Sequence, residues 1–211
     1  DAYSRRRKLA AYARNLAHVD SLVGTLMAAL RRNGLAERTL IAVSADHGEE
    51  FGEHGHFHHN LALYEPAIRV PLWLSGPGIE PRSIRASASL VDLYPTLLEV
   101  AGIGADPTSG SLWPLVSGVT DTPPGTMHYA FLPQRGFSRR YASWARPERG
   151  TAALIDSRTG HKVIVRYRRQ LWEAYDLARD PMERDDVAGD GLAWPDSMRS
   201  ELLARVRGNA R

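Results

Sequence analysis

The chain has 211 residues, of which 43% are hydrophobic and 24% are charged, a balance typical of a folded globular protein. It contains no cysteine, which excludes a disulfide framework, a thiolate metal site and a cysteine nucleophile among these residues. Basic residues number 27 and acidic residues 24. The sequence contains no basic stripe interleaved with aromatic residues, so it does not favour nucleic acid as a partner. No apolar run approaches the roughly 18 residues that a membrane span needs.

Arginine supplies almost all of the positive charge. Only Lys8 and Lys162 are lysines, and the other basic residues are arginines. We interpret this bias as the codon usage of a GC-rich genome. The arginines around Tyr167 are the nearest approach to a basic patch, and their alternation along a predicted strand indicates an exposed sheet edge.

The first half of the chain alternates helical and strand patterns. Residues 8–32 carry apolar residues spaced by three and four, which predicts an amphipathic helix. Residues 39–45 are a short apolar run, which predicts a buried strand, parallel to its neighbour because a helix precedes it. A second strand is predicted at 70–75, and a helix at 89–101 with Pro95 in its first turn or at a kink.

The second half changes character. Residues 103–125 are rich in Gly, Pro, Ser and Thr and are the favoured boundary. Beyond them the pattern predicts a closing helix at 197–206 and four short strands at 141–144, 152–156, 162–167 and 172–177. We therefore predict an α/β portion over 1–118 and a small α+β portion with an antiparallel sheet over 119–211.

A cluster of metal-ligand residue types follows the first predicted strand. Five of the eight histidines lie between positions 47 and 59, together with four acidic residues, Asp46, Glu49, Glu50 and Glu53. Asp46 and His47 stand at the carboxyl end of the strand, where open α/β sheets bind ligands. Asp oxygen suits Ca²⁺, Mg²⁺ or Mn²⁺, whereas His nitrogen favours Mn²⁺ or Zn²⁺. Two bland alternatives are a helix N-cap at Asp46 with Glu49 completing a capping box, and a solvated loop of histidines.

An ordered set of motifs resembles the C-terminal half of the sulfatase family, within the alkaline-phosphatase-like superfamily. The set spans nearly the whole chain and runs in family order: SADHGEEFGEHG at 44–55, His59, LYE at 63–65, IRVPL at 68–72, SGPG at 75–78, DLYPTLL at 92–98, GSL at 110–112 and YDL at 175–177 with Asp180, Pro181 and Glu183. The resemblance implies the C-terminal half of a mostly parallel, helix-flanked sheet, followed by a small α+β subdomain with an antiparallel sheet.

The resemblance also implies roles for particular residues. Asp46 and His47 match two metal ligands of the family, and Asp46 would in addition polarise the hydroxyl of the nucleophile. His59 matches a position that contacts the sulfate oxygens, and a protonated His59 could act as general acid. For Glu49, Glu53 and His54 the resemblance implies supporting or structural roles behind the ligands. We also expect Glu65 and Arg69 to pair.

The family nucleophile has no counterpart among these residues. Sulfatases use a formylglycine made from Cys or Ser in a Cys/Ser-x-Pro-x-Arg motif, and no serine here has Pro two residues on and Arg four residues on. We therefore expect the chain to be the C-terminal part of a metal-dependent sulfuric ester hydrolase, with the formylglycine upstream and no activity of its own. Two alternatives are a phosphomonoester, phosphodiester or phosphonate ester hydrolase of the same superfamily, and a non-catalytic sulfatase-like module.

The implied cofactor is one divalent cation, with Ca²⁺ expected and Mn²⁺, Mg²⁺ or Zn²⁺ as alternatives. The implied substrate is a small-molecule or saccharide sulfate ester, and no nucleic-acid partner is expected. The resemblance favours a periplasmic or secreted protein and leaves the cytoplasm open. The natural substrate and the oligomeric state cannot be predicted from these residues.

Overall fold

The computed structural model describes residues 2–59, 62–104, 110–132, 150–169 and 171–208. Its helices and strands follow in chain order: α1 (Ala2–Arg32), β1 (Ile41–Ser44), β2 (Glu50–Phe51), β3 (Phe57–His58), α2 (Glu65–Ile68), β4 (Leu72–Ser75), α3 (Leu93–Val100), α4 (Trp113–Val116), β5 (Met127–Leu132), β6 (Thr151–Asp156), β7 (His161–Arg166), β8 (Leu171–Asp176) and α5 (Ala193–Gly208). None of the helices in the described residues is both long enough and apolar enough to cross a membrane.

Helix α1 confirms the helix predicted over 8–32 and begins earlier, at Ala2. Arg31 and Arg32 lie in its last turn, where positive charge is favourable, and Gly34 follows with a φ of 63°. The apolar stripe of α1 is largely uncovered. Six of its residues are between 37% and 55% exposed, namely Leu9, Tyr12, Leu16, Val19, Leu22 and Leu26.

Strands β1 and β4 form a two-stranded sheet in which Ile41 lies opposite Ser75 and Ser44 opposite Leu72. The pair is antiparallel, so the expectation of a parallel strand is wrong for this pair. The physical reason is the connection between the two strands. The connection contains the β2–β3 hairpin and the one-turn helix α2. Strand β4 begins beside the residue at which β1 ends, so β4 runs back along β1 in the opposite direction.

Strands β5, β6, β7 and β8 form a four-stranded antiparallel sheet in sequential order. This confirms the predicted antiparallel sheet and the strands predicted at 152–156, 162–167 and 172–177, while the one predicted at 141–144 lies outside the described residues. Strand β5 was not predicted. The turn between β6 and β7 ends at Gly160, whose φ of 78° suits glycine.

The two faces of this sheet pack against different parts of the chain. Helix α5 covers one face, where Leu154 and Val163 pack against Met198 and Leu202. Alternation along the strands turns the next residues to the other face. There the sheet residues Ala153, Ile164 and Tyr175 pack against Ala62, Leu63 and Tyr64, which directly precede α2.

A third cluster packs α4 against β4 through Leu115 and Leu72. Helix α3 follows a capping box formed by Ser89 and Asp92, and Pro95 lies in its first turn as predicted. The division at residue 118 stays a prediction. The sheet of the predicted second portion nevertheless packs on residues 62–64 of the first, directly behind the histidine-rich segment.

Candidate active site

Asp46 and His47 lie in the loop that follows β1, two and three residues beyond the end of the strand. The next element is the strand β2, which begins at Glu50, so the interpretation of Asp46 as a helix N-cap is wrong. Gly48 fixes the course of this loop. Its N–H donates to the carbonyl oxygen of Ala67 at 2.8 Å, and a Cβ at position 48 would overlap the Pro66 carbonyl.

The side chains of Asp46 and His47 place two possible metal-ligand atoms side by side, one oxygen and one nitrogen. The Asp46 side chain is 89% exposed, and its Oδ2 lies 3.7 Å from Nε2 of His47. His47 Nδ1 lies 2.9 Å from the carbonyl oxygen of Gly48. Because a carbonyl oxygen can only accept, this contact places the proton of a neutral His47 on Nδ1 and leaves Nε2 as the nitrogen that could bind a metal. A neutral imidazole oriented in this way by its other nitrogen is the form that binds metals.

His59 lies directly against this pair. Its ring stacks on the ring of His47 with the centroids 3.8 Å apart and 24° between the planes. Its Nδ1 lies 3.2 Å from Oε2 of Glu49. A carboxylate can only accept, so Nδ1–H of His59 donates to Glu49 and leaves Nε2 of His59 as the nitrogen available for further contacts. The structure thus brings together four of the residues that the sequence singled out, Asp46, His47, Glu49 and His59.

His54 and Glu50 are turned into the protein. The Glu50 side chain is fully buried, with its Oε1 3.2 Å from Nδ1 of His54. Nε2 of His54 donates to the carbonyl oxygen of Met182 at 3.0 Å. Since Nε2 already holds one proton, the contact with Glu50 requires a second one, carried by His54 or by Glu50. The pair therefore serves to anchor the β2–β3 hairpin to residues beyond β8.

Glu53 lies on the side of the hairpin that faces α1. Its Oε1 accepts from Arg5 at 3.1 Å, and its Oε2 accepts from the backbone N–H of Phe51 at 2.6 Å. Burial works against the charge of this carboxyl, but the Phe51 hydrogen bond and Arg5 hold its pKa below the usual range. Glu53 therefore fastens the hairpin to α1.

Tyr64 connects the hairpin to the four-stranded sheet. Its ring stacks on His54 with the centroids 3.8 Å apart, and its hydroxyl donates to Glu173 at 3.0 Å and accepts from Arg166 at 2.9 Å. Burial, together with the negative charge of Glu173, raises the pKa of Tyr64. Arg166 was expected on an exposed strand edge, and this is wrong, because its side chain is only 18% exposed and also pairs with Glu173.

The predicted pair of Glu65 with Arg69 is also wrong. Oε1 of Glu65 lies 3.0 Å from Nζ of Lys162 on β7, which is fully buried. The same ammonium lies 2.7 Å from Glu183. Sequence reasoning gave no role to either residue. Glu183 was noted only as part of a family motif, and the one signal for Lys162 was its rarity as a lysine in a chain of arginines.

In the part of the chain that the structure describes, no group of three His, Asp or Glu side chains could hold a metal ion. Asp46 and His47 fit as two ligands, since one offers an exposed carboxylate and the other holds its Nε2 beside that carboxylate. Further ligands would have to come from other residues.

Residues 1–103 match the family model for sulfatases. The chain is 34% identical over 188 residues to a choline-sulfatase from Rhizobium meliloti (strain 1021), an alignment that covers 87% of this chain and 33% of that protein. The chain belongs to the sulfatase family. It spans about a third of the length of the curated sulfatases that it matches.

Solved structures show the same fold. A 2-O GAG sulfatase superposes with a TM-score of 0.73 at 22% identity, covering 90% of this chain and 41% of that one. The phosphonate monoester hydrolase of Agrobacterium radiobacter gives a TM-score of 0.72 at 25% identity, over 92% of this chain and 40% of that one. The sulfatase fold class that the resemblance implied is thereby confirmed.

Proposed function

We propose that this sulfatase-family chain carries two metal ligands and a general acid of a metal-dependent sulfuric ester hydrolase. The observation that carries the proposal is the convergence of three side chains after β1. Asp46 Oδ2 and His47 Nε2 lie 3.7 Å apart, and the ring of His59 stacks on that of His47. The similarity to a choline-sulfatase supports sulfate esters as the substrate class.

Asp46 and His47 would hold one divalent cation, for which we propose Ca²⁺. Asp46 provides the hard oxygen ligand that Ca²⁺ prefers, and His47 the nitrogen that keeps Mn²⁺ and Zn²⁺ as alternatives. The cation, when bound, would neutralise negative charge on the nucleophile and the transferred group. Asp46 would also accept a hydrogen bond from the nucleophile, for which its exposure leaves room.

His59 would contact the sulfate oxygens and protonate the leaving oxygen from Nε2. The Glu49 carboxylate at 3.2 Å holds Nδ1 and so leaves Nε2 free to face the substrate. A proton delivered to the leaving oxygen lowers the barrier for departure of a poor leaving group such as an alcohol. Loss of His59 would therefore affect turnover more than metal affinity.

The nucleophile would come from residues other than these 211, which contain no cysteine. The apolar residues of α1 that remain between 37% and 55% exposed offer a surface on which the rest of a sulfatase fold could pack. We therefore propose that the complete protein is the enzyme, with a formylglycine nucleophile, and that the 211-residue chain alone gives no turnover.

A second candidate is a phosphonate ester hydrolase of the same superfamily. The structural match to the Agrobacterium radiobacter enzyme, at 25% identity, is the observation that favours it. Sulfate and phosphonate esters share a tetrahedral centre and a need for charge neutralisation, so the pair Asp46 and His47 suits both. A third candidate is a non-catalytic module that keeps the fold without turnover.

The test is turnover of matched aryl sulfate and aryl phosphonate esters by the complete protein, before and after metal removal with a chelator. We expect the sulfate ester to be the better substrate and Ca²⁺ to restore the lost activity. Asp46→Ala should abolish metal-dependent turnover, whereas Asp121→Ala, at an exposed aspartate in the loop after α4, should not. Preference for the phosphonate would select the second candidate, and no turnover of either ester the third.

The variant His59→Ala distinguishes two possible roles of His59, general acid and metal ligand. We expect kcat to fall roughly 100-fold, in the range of lost general acid catalysis, while metal affinity changes little. His18→Ala, at an exposed histidine of α1, is the matched control and should leave both quantities unchanged. A loss of metal affinity that exceeds the loss of kcat would instead make His59 a metal ligand.

A further inference from the structure

The interface between the four-stranded sheet and α2 contains a buried group of three charged side chains. Lys162 on β7 places its Nζ 3.0 Å from Glu65 Oε1 and 2.7 Å from Glu183 Oε1. The side chains of Lys162 and Glu183 are both 0% exposed. The backbone N–H of Glu65 also donates to Glu183 Oε2 at 2.5 Å, so Glu183 holds the first residue of α2 directly.

Stability alone is a poor explanation for this arrangement. Removing an ammonium and two carboxylates from water is costly, and apolar residues of similar volume often replace such groups without loss. Glu183 also adopts a φ of 52°, in the left-handed region that residues other than glycine rarely occupy. Strained and buried polar groups are often retained at functional sites, which favours a role for this group beyond stability.

The first route runs through α2 to the metal-ligand loop. Glu65, held by Lys162 and Glu183, begins α2, and the carbonyl oxygen of Ala67 in the same turn accepts from the N–H of Gly48 at 2.8 Å. Gly48 has no room for a Cβ against the Pro66 carbonyl. A displacement of α2 would therefore be passed to Gly48 and to its neighbour His47.

The second route runs through the backbone beside Glu183. The carbonyl oxygen of Met182 accepts from Nε2 of His54 at 3.0 Å. His54 in turn holds the fully buried Glu50, which lies opposite His58 in the β2–β3 hairpin. His59 is the next residue. Residues 182–183 thus reach the two sides of the candidate site, the metal-ligand loop through α2 and the general-acid side through the hairpin.

We propose that Lys162 and Glu183 are a positioning pair, through which the C-terminal sheet sets the relative placement of Asp46, His47 and His59. The proposal rests on the proposed function only in naming those three as the active site. Lysine suits this position because a compact ammonium can sit between two carboxylates, where the larger planar guanidinium of arginine would not fit the same geometry. One of the two lysines of the chain stands here.

The test compares stability with turnover in the double variant Lys162→Met/Glu183→Met. The double variant removes the two fully buried charges together and leaves only Glu65, which is 14% exposed, without its cation, so we expect a folded protein that is less destabilised than Lys162→Met. Because small displacements of reacting groups are costly, we expect kcat to fall roughly 10- to 100-fold with a smaller change in KM. The matched control is Arg205→Met/Glu201→Met, which removes the exposed pair on α5 and should change neither quantity.

A second readout does not depend on turnover. We expect the imidazole NMR signals of His54 and His59 to shift in the double variant and to stay in place in the control. Should the double variant fail to fold, Glu183→Gln keeps the shape of the side chain and should give smaller changes in the same direction. Folded variants with unchanged histidine signals and unchanged kcat would overturn the positioning pair. If the complete protein without substitutions hydrolysed no ester, the proposed function would be overturned. The NMR comparison would still decide whether Lys162 and Glu183 position the histidines.

Discussion

The two ends of the chain bury their apolar side chains to very different extents. In the C-terminal part, Leu154, Val163 and Leu202 are 0% exposed between the four-stranded sheet and α5. In the N-terminal part, Leu16 and Leu26 on α1 are 53% and 55% exposed. Burial of a leucine contributes about 1.5–3 kcal/mol to the free energy of unfolding. The C-terminal part therefore contains its own core, whereas the N-terminal part gains little stability from its apolar residues.

The candidate site lies at the junction of these two regions, and its residues divide in the same way. Glu50 is 1% exposed and is anchored toward the C-terminal sheet through His54. Asp46 is 89% exposed on the opposite side of the loop. The C-terminal part therefore holds the buried side of the site, whereas the carboxylate of Asp46 is exposed. A site built at such a junction depends on both sides for its geometry.

The largest expected effect concerns the buried charges behind the site. Lys162→Met leaves Glu65 and Glu183 without their cation, which should lower the free energy of unfolding by about 3–5 kcal/mol at neutral pH. Burial already raises the pKa of Glu183, whereas the positive charge of Lys162 lowers it. The substitution removes that charge and should therefore raise the pKa of Glu183 further. Below this raised pKa the carboxyl is neutral, so the cost of the substitution should shrink as the pH falls.

Urea unfolding at several pH values, followed by circular dichroism, measures this dependence. Lys8→Met is the matched control, because Lys8 is the other lysine and lies over the Phe57 ring on the exposed face of α1. Its cost should be small and nearly independent of pH. A cost for Lys162→Met that stays constant from acidic to neutral pH would show that the carboxylates are not charged in the folded protein.

The next effect compares a buried with an exposed leucine directly. Leu202→Ala removes a fully buried side chain from the sheet–α5 core and should cost about 2–5 kcal/mol. Leu16→Ala, the matched control, changes a side chain that is 53% exposed and should cost less than about 0.5 kcal/mol. Equal costs in urea unfolding would mean that α1 packs against another surface in solution, and the contrast between the two regions would fail.

The sequence predicted elements well wherever local periodicity matched burial. The strands at 152–156 and 162–167 alternate between two buried faces and were found as predicted. Strand β5 was missed because all six of its residues are half-buried, which leaves no alternation to detect. The pairing of β1 with β4 was predicted wrongly because pairing direction depends on how the chain returns, which a strand's own residues do not encode.

The candidate site divides along the same line. Asp46, His47, Glu49 and His59 could be singled out because they lie within 14 consecutive residues, and the structure brings them together. The supporting contacts could not be predicted from spacing. Lys162 and Glu65 are separated by 97 positions, and Glu65 and Glu183 by 118. Only the packing of the sheet on residues 62–64 places these side chains next to one another.

The smallest expected effect lies on the α1 side of the hairpin. Arg5→Gln removes the 3.1 Å contact with Glu53, and because Arg5 is 48% exposed the cost should be at most about 1 kcal/mol. Despite the opposing effect of burial, Arg5 and the Phe51 hydrogen bond lower the pKa of Glu53. Their contribution to stability is therefore present above the ordinary pKa of a glutamate and is lost as the pH falls through the lowered value.

The difference in stability between Arg5→Gln and the unmodified chain should shrink in acid and in high salt. The matched control is Arg6→Gln, for which the described residues show no ion pair and which should cost almost nothing under any of these conditions. A large cost for Arg5→Gln that resists salt would mean that α1 holds the hairpin as firmly as the C-terminal sheet does, and the contrast between the two regions would not extend to the site.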